Sequence, residues 1–109
     1  MTIGFRLNGQ DFTALNGGPM FSFTPAISFV VNCDSQEEID LFWNKLCEGG
    51  EPSRCGWLKD KFGMSWQIVP VALFEMLKDK SGEKSQRVMQ TLLQMNKIEI
   101  AKLRQAYEQ

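Results

Sequence analysis

Histidine is missing from all 109 residues. That absence removes the commonest general base at neutral pH, the commonest transition-metal ligand, and any Ser-His or Cys-His nucleophile pair. Most hydrolase mechanisms go with it. Cysteine is scarce: Cys33, Cys47 and Cys55 make an odd number without a CxxC spacing, so neither a disulfide framework nor a zinc cage is indicated and reduced thiols are expected. Cys55 beside Gly56 has no histidine to activate it, and a structural thiol is expected there, as at Cys33 and Cys47. Neither sign of charge is in excess, with twelve Lys and Arg against thirteen Asp and Glu for a formal net charge of −1. Nucleic acid and membrane surfaces are therefore disfavoured as partners. No apolar run approaches the roughly 20 residues that span a bilayer, and the opening MTIGFRLNGQ has no apolar core behind a basic start. A soluble, cytoplasmic protein is expected.

What is present fits a single domain, since 109 residues with 43% hydrophobic content suit one modest core. Asn8-Gly9 has the pair best suited to the two positive-φ positions of a type I′ turn, and the flanking 2–7 and 10–15 read as a hairpin. A two-residue loop sets Leu7 opposite Gln10, Arg6 opposite Asp11 and Phe5 opposite Phe12. Residues 16–25, rich in Gly and Pro, read as a connection. The β-branched and aromatic stretch 27–32 reads as a strand, and Asp34-Ser35 with acidic residues three positions on as a capped helix start. The helix carries Ile39, Phe42, Trp43 and Leu46 as a buried stripe and stops at Gly49-Gly50. Two short strands are predicted at 55–60 and 64–69, ending at Pro70. Three helices follow at 71–78, 83–95 and about 98–107, broken at Ser81-Gly82 and near Asn96. Val88, Leu92 and Met95 mark one packing face, Ile100, Leu103 and Tyr107 another, and Met76, Met89 and Met95 are read as core fillers.

The order hairpin, connection, strand, helix and strand pair, with CGWLKDKFGMSWQIVP at 55–70 as its most specific stretch, resembles the PhnB-like family, also labelled 3-demethylubiquinone-9 3-methyltransferase-like, of the vicinal oxygen chelate superfamily. NGGP at 16–19, AISFVVN at 26–32 and EEIDLFW at 37–43 match the family's order as well. The resemblance implies an α+β chain with a vicinal oxygen chelate fold, in which two βαβββ modules curl into half-barrels around a shared ligand cup. Further C-terminal helices and homodimers are common in that family. On that plan residues 1–16 are the last hairpin of an incomplete first module, 26–70 the second module and 71–109 a C-terminal helical extension. A shortened chain, an internal start or a half-cup completed by another chain would each account for the missing strand, helix and strand. Thr2–Leu15 is then expected to pair with strands from outside this sequence, with a second copy preferred.

The resemblance also sets expectations for a site. Metal-using relatives hold a divalent ion with His and Glu from cup-facing strands, and the matching positions here are Ala26, which has no donor, and Gln67, which offers only a neutral oxygen. Asn16 aligns loosely with a third. No metal, no cofactor and no catalytic residue are expected. The methyltransferase label gains no support, because Asn16-Gly17-Gly18-Pro19 is followed by no helix of the kind a nucleotide-type cofactor needs. What remains is a cup for a small molecule, lined by Asn16, Ala26, Ser28, Trp57, Ser65 and Gln67, with Val30 and Val69 on the same faces by strand alternation and Ile68 and Phe29 turned towards helices. Trp66, of opposite parity, is expected in the core. The leading expectation is a homodimeric domain that binds a small organic molecule. The alternatives are a glyoxalase or dioxygenase-type enzyme drawing metal ligands from elsewhere, and a structural dimerisation module.

Overall fold

The structure is a computed structural model that describes residues 1–79 and 82–109. Ser81, half of the predicted helix break, lies outside the described residues. The elements run β1 (Thr2–Leu7), β2 (Gln10–Leu15), β3 (Ser28–Cys33), α1 (Gln36–Cys47), β4 (Glu51–Pro52), β5 (Trp57–Lys59), β6 (Ser65–Pro70), α2 (Val71–Met76), α3 (Glu83–Leu92) and α4 (Ile100–Glu108).

The hairpin forms in the predicted register. Asn8 and Gly9 take φ of 50° and 79°, and Leu7 faces Gln10, Arg6 faces Asp11 and Phe5 faces Phe12. Arg6 Nε donates to Asp11 Oδ1 at 2.8 Å, and the two phenyl rings stack with centroids 5.5 Å apart. β1 and β2 make a sheet of their own.

The second sheet has the order β3-β6-β5-β4, with β3 parallel to β6 and the other pairs antiparallel. β3-α1-β4-β5-β6 is thus one βαβββ unit, its parallel edge made possible by the helical crossover. Ser35 caps α1, its Oγ accepting from the Glu38 N–H, while the Glu38 carboxylate accepts from the Asp34 N–H. One free donor of the first helical turn and the N–H just ahead of the cap are satisfied in this way.

α1 lays Ile39 and Trp43 on Cys33, Leu58 and Ile68, with Leu46 partly buried beside them. Phe42 departs from the predicted stripe, for its ring is 36% exposed at the outer margin of the helix. β4 was not predicted, because two residues ending in a proline carry no alternation to read. β5 is shorter than the predicted 55–60, because Cys55 and Gly56 take φ of 61° and 85° and turn the chain instead of extending it. The N–H groups of Cys55 and Gly56 donate to the carbonyls of Met95 and Asn96.

A second core joins Val69 to Leu73, Met76, Val88, Leu92, Met95, Ile98 and Leu103. α2 ends at Met76, two residues before the predicted limit, and α3 at Leu92, although Met95 stays buried. Met89 is 40% exposed and so fills no core. Gln36 ties this helical layer to the start of α1: its Nε2 donates to the Ile98 carbonyl and its Oε1 accepts from the Ile100 N–H. No described helix is long and apolar enough to cross a membrane.

Candidate ligand-binding face

β6 lies between β3 and β5, and its alternation separates two environments. Trp66 and Ile68 pack towards α1, whereas Ser65 and Gln67 point to the opposite face. Cross-strand pairing lines up residues on that face in two rows. One row runs Ser28, Ser65, Lys59, Glu51; the next runs Val30, Gln67, Trp57.

The register behind these rows is fixed by Asp60, whose Oδ1 accepts from the N–H groups of Phe62 and Met64 and whose Oδ2 accepts from the Trp66 indole N–H at 2.9 Å. An Asx-type turn of this kind closes the β5–β6 connection from within. It also satisfies the polar end of Trp66, which faces α1 as its parity predicted but is half-buried at the margin of the core and not within it.

Within the rows, Gln67 Nε2 donates to Ser28 Oγ at 3.0 Å. Trp57, half-buried, flanks Gln67 on the other side. Ser65 is 4% exposed, and among the described residues its hydroxyl has no hydrogen-bond partner. Val30 is 51% exposed, so the face is open at its β3 edge, while Ser65 nearer its middle is almost covered.

Four of the six expected site residues, Ser28, Trp57, Ser65 and Gln67, therefore share one face. Two do not join them. Ala26 lies in the turn before β3 rather than at a strand start, its N–H donating to Thr24 Oγ1, and Asn16 follows β2, exposed, its N–H donating to the Met1 carbonyl. Val69 has the right parity but is 6% exposed among the C-terminal helices, which cover that end of the face. It lines no cup. Lys59 was missed, because its parity relative to Ser65 depends on the length and geometry of the Asp60 turn.

On the α1 side, Phe29 meets Phe12 edge-on at 5.8 Å and Trp66 at 5.1 Å. A groove of about 740 Å³ runs there between the hairpin and the β3 edge, lined by Leu7, Phe12, Phe29, Phe42, Leu46 and Trp66 among others. It is mainly apolar. Burial raises the pKa of Cys33, with Glu38 and Asp34 adding to it, and burial likewise raises that of Cys47. In both, the thiolate form is disfavoured.

Comparison with known proteins gives the arrangement a family. The family described as 3-demethylubiquinone-9 3-methyltransferase matches residues 1–69. The chain belongs to that family.

A PhnB protein from Bacillus cereus carrying the same family label is 36% identical, with a TM-score of 0.60 over 65% of this chain and 64% of its own. Protein PA1353 from Pseudomonas aeruginosa is 20% identical, with a TM-score of 0.53 over 64% of this chain and 62% of its own, a likeness of fold. The chain thus spans less than two thirds of either relative's length. No curated protein matches the sequence. The PhnB-like assignment is consistent with the vicinal oxygen chelate superfamily and its βαβββ units.

The divalent ion of metal-using members of that superfamily does not fit the residues described. Ala26 has no donor atom, and Gln67 commits its amide nitrogen to Ser28, leaving one neutral oxygen. Among the described residues no group of three or more His, Cys, Asp or Glu is placed to hold a metal. A methyl-donor cofactor fits no better, because the Asn16–Pro19 segment leads through exposed irregular chain into β3 and not into a helix N-terminus.

Proposed function

We propose that this PhnB-like chain binds a small organic molecule on the face formed by Ser28, Trp57, Ser65 and Gln67, without a metal. The observation that carries the reading is the Gln67–Ser28 hydrogen bond of 3.0 Å on a sheet face that is open at its β3 edge. Two polar side chains are held in fixed orientation there beside an indole, which is the combination of a few placed polar groups and an aromatic wall that a small-molecule site needs. The family's description names methyl transfer to a demethylated ubiquinone, so an oxygen-substituted aromatic ring is the ligand class we take forward. A flat ring can rest on Trp57 while its oxygens meet Gln67 and the serines.

Thermal denaturation with 2-methoxyphenol as the probe tests this. A rise in Tm that grows with probe concentration, and shrinks in Gln67→Leu, is expected. An unchanged Tm at millimolar probe would leave a structural dimerisation module as the better reading. Metal analysis after dialysis tests the other half: stoichiometric metal retained by the purified protein would favour a glyoxalase or dioxygenase-type enzyme instead.

A second copy of the chain is proposed as the partner. The hairpin exposes Ile3, Phe5, Leu7 and Leu15 by between 43% and 72%, and apolar surface of that extent on a two-stranded sheet calls for cover.

A further inference from the structure

We infer that the row Ser28–Ser65–Lys59 is a subsite for an acidic oxygen, so that the ligand of this face is an aromatic ring bearing a carboxylate or a phenolate. The inference rests on the ligand-binding face proposed above and adds to it the residue that selects charge. Its basis is a count of donors. Gln67 Nε2 donates to Ser28 Oγ and so occupies a lone pair of that oxygen, which leaves the Ser28 O–H to donate elsewhere. The Ser65 hydroxyl, in a residue only 4% exposed, has no partner among the described residues. Lys59 stands directly across from Ser65 on the same face, and among the described residues its ammonium forms no ion pair. Glu51 follows Lys59 in the row, on the side away from Ser65, and makes no salt bridge with it.

Three donors from neighbouring strands therefore lie side by side without an acceptor. Directly opposite residues on adjacent strands have Cβ atoms about 5 Å apart, so an oxygen anion that reaches the narrow exposed part of Ser65 would lie between Ser28 and Lys59 in the same row. A charged acceptor gains most from such a set, because hydrogen bonds to an ionised oxygen are about twice as strong as neutral ones. Trp57 lies in the adjacent row, next to Gln67 and two residues before Lys59 along β5. It would stack on the ring that carries the anion, and Gln67 keeps its own carbonyl oxygen free for a ring hydroxyl.

NMR titration of the whole chain with sodium benzoate and, separately, with benzamide tests the inference. The two probes share shape and differ in charge. Benzoate is expected to shift the Trp57 indole N–H and the amides of Ser28, Lys59, Ser65 and Gln67, with benzamide at least about fivefold weaker. Lys59→Met is expected to weaken benzoate by about fivefold, as for an exposed ion pair, and Lys59→Arg to retain it. Lys59 is exposed, so the fold is kept in both variants. Equal binding of the two probes, or benzoate binding unchanged in Lys59→Met, would overturn the anion subsite and leave the ligand-binding face standing. If neither probe moves these resonances, the face and the subsite both fall.

Discussion

Ile39 and Phe42 both belong to the apolar stripe of α1 by spacing, and their fates differ. Ile39 is fully buried against the sheet and Phe42 is 36% exposed above the groove. Ile39→Ala is expected to lower stability by about 2–5 kcal/mol, because the transfer loss is compounded by a cavity. Phe42→Ala is expected to cost only about 1–2 kcal/mol, since part of the ring already meets water. Urea denaturation of the two variants checks the order. Helical periodicity identified the side of α1 that meets the sheet. It could not reveal that Phe42, at the end of that stripe, borders a groove facing the hairpin, because this depends on the placement of distant parts of the chain.

Asp40 is a second residue-scale case. Hydrogen bonds from Lys97 and Gln36 hold its carboxyl below the ordinary value. The stabilisation it gives is therefore present above the ordinary carboxylate pKa and is lost as pH falls through the lowered folded value. The group is exposed, so the effect is small. Asp40→Asn should lower Tm slightly at neutral pH and leave it nearly unchanged at acid pH below the lowered folded value, so that the acid limb flattens, as read from Tm against pH.

At the scale of elements, legibility followed how local the determinant was. The Asn8-Gly9 turn dictates its own strand register, and β1–β2 was readable to the residue. The start of α1 was readable because Ser35 and Glu38 act within one turn. The end of the β5 approach was not. Gly56 is left-handed, and a Cβ there would meet Ile98 Cδ1 at 2.8 Å and the Ile68 carbonyl oxygen at 2.9 Å, so its need for glycine comes from β6 and the segment after α3. Gly56→Ala should cost about 1–3 kcal/mol through that crowding and its positive φ, with loss of protection in the amides of Cys55 and Gly56 by hydrogen exchange. β4 was equally hidden, since its two residues are defined only by pairing with β5. For the same reason parity alone found Ser65 and Gln67 within one strand but not Lys59 across the Asp60 turn.

The whole molecule is elongated, with a radius of gyration of 16.3 Å and extents of 54 × 26 × 24 Å, where a compact domain of this size would have about 13 Å. Two features combine here: a hairpin that forms its own sheet, and β3, which ends the larger sheet with an unpaired edge. Free strand edges and exposed apolar side chains favour association. Light scattering at micromolar concentration is expected to give the mass of a dimer or larger species, and a well-folded soluble monomer would contradict it.

The central claim is that a small aromatic molecule is held on the Ser28–Gln67 face and not in the larger groove beside the hairpin. Chemical-shift mapping with 2-methoxyphenol measures this directly. The account predicts saturable shifts at Ser28, Trp57, Ser65 and Gln67, with Leu7, Phe12, Phe42 and Leu46 unmoved. Shifts confined to Leu7, Phe12, Phe42 and Leu46, or none at all, would contradict it.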